Sequence, residues 1–263
     1  MHPYVNTAIK AAREAGNIIV RYVDRLDTLS IERKSRNDFV SEVDRAAEAA
    51  IIETLNKAYP DHDILAEESG LHEAGGEYQW IIDPLDGTTN YLHGYPNFAV
   101  SIACFYKGTP EHAVIFDPMR DELFFATRGQ GAQMNNHRIR VSSMKSLNDS
   151  LLVTGFPFRD DQNVEEWIAA FRLLQPKTSG IRRPGSAAID LAHVACGRFQ
   201  GFFELGLKPW DIAAGVLLVQ EAGGIVTDWA GNQDFMKTGN IIAGGPHIQE
   251  QMAALLKTVK LSS

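Results

Sequence analysis

Residues 80–91 read WIIDPLDGTTNY, and this run restricts the fold more than any other. Three apolar side chains, Trp80, Ile81 and Ile82, call for an interior strand, yet Asp83 and Asp86 follow at once. A buried carboxylate without a partner is costly, so the strand must end where something stabilises negative charge. Pro84 fixes one backbone angle and disfavours helical geometry at Asp83. The run therefore predicts a strand over 80–82 that leaves its sheet in a preset bend, turning Asp83, the Leu85 carbonyl and Asp86 toward one point. Hard divalent cations take oxygen sets of this kind, and Mg²⁺ combines few carboxylates with water and substrate phosphate. Two carboxylates about 4 Å apart repel by roughly 4 kcal/mol at an effective dielectric of about 20, and a cation between them reverses the sign. Gly87-Thr88-Thr89-Asn90 then reads as a helix start whose free N–H groups suit a phosphate, with Gly87 allowing close approach. The same letters also describe an ordinary Asp-Gly turn capped by Asp86. The run alone leaves both readings open.

The surrounding chain predicts mixed structure. Val5, Ala8, Ile9, Ala12, Ile19 and Tyr22 recur at helical spacing over residues 3–23, as do Val43, Ala46, Ala47, Ala50, Ile51 and Leu55 over 42–58. Between them SIERKSRNDFVSEVD reads as a hairpin or a mobile loop. Short strand-like runs follow at 63–66, 80–82, 98–106, 113–116 and 122–127, with turns at Lys107-Gly108 and Asp117-Pro118, which predicts an antiparallel sheet. From about residue 150 strands and helices alternate: SLLVTGF, a helix over 164–174, SGIRR, a helix over 186–196, GFFEL, a helix over 211–222, two further strands, and a helix over 248–259. Such alternation indicates an α/β layer. The parts divide at 1–149 and 150–263 but share one continuous interior, since no linker or repeat separates them.

Charge and cysteine usage narrow the function. A formal net charge of -8 with no long basic run argues against direct nucleic-acid binding. A small anionic ligand stays compatible, because a bound cation inverts the local sign. Cys104 and Cys196 sit in the apolar strings SIACFY and HVACGRF, which predicts buried free thiols. Lys10, Arg13 and Glu14 interrupt the N-terminal apolar pattern, so residues 1–23 are neither a secretory signal nor a membrane span, and a cytoplasmic protein is expected.

Two more acidic sites end apolar segments. ILAEESG puts Glu67 and Glu68 after a strand, and LGLKPWDIAAG puts Asp211 at a helix start. Taken singly, Asp211 is an ordinary helix cap worth about 1 kcal/mol, and the glutamates a solvated loop. Together with Asp83 and Asp86 they form the pattern of a split metal centre.

With AEES (66–69), WIIDPLDGTTNY (80–91), RRPGSAAIDLA (182–192) and PWDIAAG (209–215) in this order and spacing, the chain resembles the inositol monophosphatase family of Mg²⁺-dependent, lithium-sensitive phosphatases. The likeness extends over nearly the whole length. MHPYVNTAIKAAREAGN and FDPMRDELFFATRGQGAQMN are most similar to the bacterial SuhB branch.

The resemblance implies a layered αβαβα sandwich of the inositol monophosphatase and fructose-1,6-bisphosphatase type, a homodimer, and hydrolysis of a phosphate monoester such as inositol 1-phosphate. It implies two or three Mg²⁺ per subunit. Glu67, Asp83 and the Leu85 carbonyl would hold the first, and Asp83, Asp86 and Asp211 the second. Glu67, Thr88 and Asp86 become the catalytic groups, with Thr88 paired to Glu67 and orienting the attacking water. Gly87 and Thr88 hold phosphate through backbone N–H groups. Gly185, Ser186, Ala187, Glu204 and Asp211 meet the polyol, and Lys34 lies near the metals. Ser186 also reads as a plain helix cap, Glu204 as an exposed strand end, and Lys34 as a surface lysine. His93 reads as structural. GFPFRDD (155–161) differs from the animal enzymes of the family, which puts strict inositol specificity in doubt. Fructose 1,6-bisphosphate or a phosphonucleotide are alternative substrates. The SuhB branch adds a regulatory alternative, contact with Nus factors in transcription antitermination of ribosomal RNA, which this acidic chain would make through protein rather than RNA or membrane.

Overall fold

The computed structural model describes residues 1–23, 25–26, 31–35, 38–157 and 164–260, with the backbone alone over 31–35 and 38–40. In chain order the elements are α1 (Pro3–Tyr22), β1 (Ile31–Ser35), β2 (Asp38–Ser41), α2 (Glu42–Ala58), β3 (Asp63–Ala66), β4 (Gly70–His72), β5 (Tyr78–Asp86) and α3 (Thr88–Leu92). Then come β6 (Ala99–Tyr106), β7 (Thr109–Asp117), β8 (Glu122–Thr127), β9 (Gly131–Met134), β10 (His137–Arg138), β11 (Leu151–Thr154), α4 (Val164–Leu174), β12 (Gly180–Arg182) and α5 (Ala187–Ala195). The last are β13 (Gly201–Glu204), α6 (Pro209–Glu221), β14 (Ile225–Thr227), α7 (Phe235–Thr238), β15 (Ile241–Gly244) and α8 (Pro246–Leu256).

Local chemistry explains why the first helices form. Pro3 opens α1 with a pre-set φ, and Val5, Ala8, Ala12, Ala15 and Ile19 then bury one face. Ser41 caps α2 by accepting from Val43 and Asp44 N–H, while Asp44 accepts from the Ser41 backbone N–H, a reciprocal capping box. Alanines dominate the buried face of α1, and Val43, Ala47, Ile51 and Leu55 of α2 join the same apolar cluster. The segment expected as a hairpin or a loop is a hairpin, with β1 and β2 pairing antiparallel.

Two sheets carry the architecture. The larger has eight strands in the order β10-β9-β8-β7-β6-β5-β3-β4, and the smaller has five in the order β12-β11-β13-β15-β14. The larger sheet is antiparallel as expected, with one exception. The β3 and β5 strands run parallel, joined through β4 and the chain that follows it. In the smaller sheet β11 is parallel to both neighbours, and β13 and β14 are antiparallel to β15. One apolar cluster packs α1 and α2 on the larger sheet, and a second places α5 and α6 between the sheets. A third packs α4 and α8 on the outer face of the smaller sheet. The layers therefore run αβαβα. Among the described residues no helix is long and apolar enough to cross a membrane.

One expected boundary is wrong in an informative way. The strand does not leave the sheet at Asp83: β5 continues to Asp86, buried from Trp80 through Leu85. Its pairing with β6 slips between Asp83↔Ser101 and Asp86↔Ala99. Pro84 has no N–H to give the ladder, so the strand bulges instead of ending. The bulge re-aims the acidic side chains while the strand stays anchored. Cys104 and Cys196 are free thiols, the first buried and the second half-buried, and burial raises the pKa of each.

Candidate metal and substrate site

The strand end, the sheet-to-sheet crossing and two helix starts meet in one pocket. In register, Ala66 of β3 faces Ile82 of β5, so Glu67 follows beside Asp83, and its backbone N–H donates to the Ile82 carbonyl at 3.2 Å. Past the bulge comes Asp86. From the far half of the chain α6 brings Asp211 at its third position, after Pro209 sets the helix start. Its carboxylate accepts the Lys208 backbone N–H at 2.6 Å, so the helix cap and the acidic site are the same group. Asp83, Asp86 and Asp211 each offer an oxygen within 4.8 Å of the others. Glu67, the Leu85 carbonyl's residue, Gly87, Thr88, Gly185, Ser186, Ala187 and Glu204 line the same pocket, so the expected site residues converge. The side chain of Lys34 lies outside the described residues. His93 is exposed, with its Nδ1 2.8 Å from the Thr89 carbonyl, away from the acidic cluster.

The electrostatics test whether a cation fits. Burial, then the charges of Glu67, Asp86 and Asp211, raise the Asp83 pKa well above the usual carboxylate range. Asp86 is pushed up to about 7, first by burial and next by Asp211, against hydrogen bonds from Ser186 and the α5 backbone. Like-charged carboxyls are thus held together by the fold at a cost in repulsion and lost hydration. A hard divalent cation removes that cost and matches an all-oxygen donor set. The residues present fit such an ion.

Around the acids, hydrogen bonds fix orientation. Asp83 Oδ1 accepts from Leu85 N–H at 3.0 Å. Asp86 Oδ2 accepts from Ser186 Oγ at 2.5 Å and from Ala188 N–H at 2.7 Å. Ser186 Oγ also accepts from Ile189 N–H at 3.4 Å, so it caps α5 and steers Asp86 at once. Gly87 precedes α3 at φ 99°, in the left-handed region, and a Cβ there would come within 3.0 Å of the Asn97 carbonyl. Thr88, expected beside Glu67, donates its hydroxyl to Asp44 Oδ1 and to the Leu85 carbonyl, each at 3.0 Å.

Three contributors escaped the sequence reading. Asp44 is buried behind Thr88, and its SEVD context makes it look like a helix cap, which it also is. Asn90 Nδ2 donates to the Asn97 and Pro184 carbonyls at 2.8 Å and to the Gly185 carbonyl at 3.2 Å, tying α3 to the turn before α5. Asp190 is 1% exposed at the pocket wall, and its Oδ1 has no hydrogen-bond partner among the described residues. An acid inside the apolar string AAIDLA was the available signal for it.

Comparison with known proteins adds an independent line. The model of the "Inositol monophosphatase family" matches residues 1–261. A Pseudomonas aeruginosa protein named "Nus factor SuhB" is 54% identical over 265 residues, covering 99% of this chain and 97% of that protein. The crystal structure of extragenic suppressor protein suhB from Bartonella henselae superposes with a TM-score of 0.95 at 43% identity, covering 98% of this chain and 99% of that one. The inositol monophosphatase structure from Anabaena gives 0.85 at 42% identity, covering 98% and 96%.

Proposed function

The chain belongs to the inositol monophosphatase family, and from that premise we propose that it hydrolyses inositol 1-phosphate, or a small polyol phosphate like it, with Mg²⁺. The observation that carries this reading is the convergence of Asp83, Asp86 and Asp211, from a strand end and a distant helix start, beside the first N–H groups of α3. Glu67, Asp83, the Leu85 carbonyl, Asp86 and Asp211 would hold two or three Mg²⁺. The bound ions would supply positive charge for the phosphate and acidify the attacking water.

The protein's own groups then have defined tasks. Gly87 and Thr88 N–H groups bind the phosphate oxygens. With its proton engaged by Asp44 and the Leu85 carbonyl, Thr88 Oγ1 presents lone pairs that orient the water. Asp44, buried behind it, stabilises that hydroxyl orientation and lies on the route for a departing proton. Glu204, with Gly185, Ser186 and Ala187 across the pocket, accepts and donates hydrogen bonds to the polyol hydroxyls. Because phosphoryl transfer has a loose transition state, positioning and charge neutralisation supply the acceleration and no covalent nucleophile is needed.

The experiment is phosphate release from inositol 1-phosphate with and without Mg²⁺, with lithium as inhibitor, and beside fructose 1,6-bisphosphate and a phosphonucleotide. Release that requires Mg²⁺ and is highest in kcat/KM for the inositol ester supports the proposal. A higher value for either alternative moves the substrate and leaves the site. Cytoplasmic residence and a homodimeric state belong to the same proposal.

A second reading stands on the likeness to proteins named Nus factor SuhB. We infer that the chain also contacts Nus factors during ribosomal RNA transcription, through a surface independent of the acidic pocket. Binding of purified Nus factors by Asp83→Ala at wild-type strength, with hydrolysis lost, is the expected result. Binding that disappears with hydrolysis would tie the two roles to one site.

A further inference from the structure

The chain turns from β11 into Gly155 directly over the carboxylate of Glu204, and that contact has a purpose the pocket reveals. β11 and β13 run parallel with Thr154 opposite Phe203, so Gly155 lies one rung on, opposite Glu204. Thr154 donates its hydroxyl to the Phe203 carbonyl at 2.6 Å and to the Gly155 carbonyl at 3.1 Å, which fixes both strand ends in register. A Cβ built on Gly155 overlaps both oxygens and the carboxyl carbon of Glu204. Gly155 is not among the residues of positive φ, so its backbone accepts any L side chain. Turn geometry therefore does not require glycine here. What excludes a side chain is the Glu204 carboxylate, which is 6% exposed and lines the pocket together with Gly155.

We propose that Gly155 is a positioning residue for polyol recognition: its missing side chain leaves the space in which Glu204 lies against β11 and turns its carboxylate to the substrate hydroxyls. This rests on the polyol-phosphate reading above, in which Glu204 contacts the alcohol half of the substrate. The acid is the far end of a flexible side chain, so a methyl at position 155 moves the carboxylate and leaves the fold. The three atoms nearest that methyl all belong to Glu204, and none to the phosphate and cation groups on β5, α3, α6 and the residue after β3.

Gly155→Ala is therefore expected to raise KM for inositol 1-phosphate about tenfold, the scale of one hydrogen bond to a charged group, with kcat changed little. Hydrolysis of p-nitrophenyl phosphate, which offers no hydroxyls, should be unaffected. Glu204→Asp withdraws the carboxylate by one methylene and makes room for the methyl. Adding Gly155→Ala to Glu204→Asp should then cost nothing further, whereas independent roles would multiply the two losses. A crystal structure of Gly155→Ala should show the Glu204 carboxylate displaced. The inference is overturned if KM for the inositol ester stays at the wild-type value, if the losses multiply, or if the carboxylate has not moved. It is equally overturned if the double variant fails to fold, because the acid would not then be what keeps position 155 bare. A wild-type protein that shows no preference for polyol esters defeats the functional reading instead, while the position of the carboxylate in the crystal still reports on Gly155.

Discussion

At the scale of single residues, the site is built from side chains with two tasks. Asp211 caps its helix and faces the other acids, Ser186 caps α5 and steers Asp86, and Asp44 closes a capping box and holds Thr88. Dual use explains why Asp44 is hard to find in a sequence. A Ser-x-x-Asp string at a helix start is fully accounted for by capping, and its contact with Thr88 depends on a fold that brings α2 to the end of β5. Thr88→Ala should lower kcat by about 100-fold, the low end for a positioned proton-transfer group, with little change in KM. Asp44→Asn should have an effect of similar order if Asp44 acts through Thr88. Steady-state kinetics on both variants and on the pair checks this, since two residues acting as a unit give a double variant no slower than the worse single one. Full activity in Asp44→Asn would leave that residue with its capping role alone.

At the scale of elements, the bulge in β5 and the tie made by Asn90 hold the pocket open between two sheets. The apolar run, the bend at Pro84 and the helix start at Gly87 were legible in the sequence, because each depends on near neighbours. That the strand continues past Pro84 was not. Continuation depends on β6 lying alongside and on buried Leu85 packing with the outer helices, which are long-range facts. Gly155 was hidden for the same reason. A glycine without positive φ carries no local signature, and its meaning lies wholly in Glu204 on the neighbouring strand. Glu67, Asp83, Asp86 and Asp211 were legible as acids that end apolar segments, and their order and spacing, through resemblance to a family, joined them into one ligand set. Asn90→Ala removes a partner from the Asn97 and Pro184 carbonyls and should destabilise the protein by about 1–3 kcal/mol. Urea unfolding measures the loss, and an unchanged midpoint would mean that water replaces the amide at no cost.

At the scale of the whole molecule, a central layer of α5 and α6 joins the sheets, so pocket and core are stabilised together. Stability should accordingly depend on pH through groups remote from the acids. His193 is held neutral, its pKa lowered to about 4 by burial and by Arg198, with Glu122 opposing and Arg120 adding a small push. Arg198 Nη1 lies 2.8 Å from its Nε2, an arrangement that uses the neutral ring as acceptor. His112, stacked on His2 and bonded to Thr127, is also lowered to about 4, by burial and then by His2. In the unfolded chain both rings take up protons near pH 6.5, and in the folded protein only near 4. Between those values each ring binds more protons in the unfolded state than in the folded one, so the contribution of the two rings to stability is full above about 6.5 and is lost as the solution is acidified. His193 alone should account for about 1–2 kcal/mol between pH 7 and 5, and urea unfolding of His193→Gln should show a flatter profile over that range. An unchanged slope would mean that the ring takes up protons alike in the folded and unfolded states.

The central claim is that acids from opposite halves of the chain form one divalent-cation site. Calorimetric titration of the apoprotein with Mg²⁺, in wild type and in Asp211→Asn, tests it most directly. The account predicts saturable binding that weakens by about tenfold or more in the variant, as losing one carboxylate ligand requires. Equal affinity in the two proteins would contradict it, because Asp211 would then take no part in holding the ion.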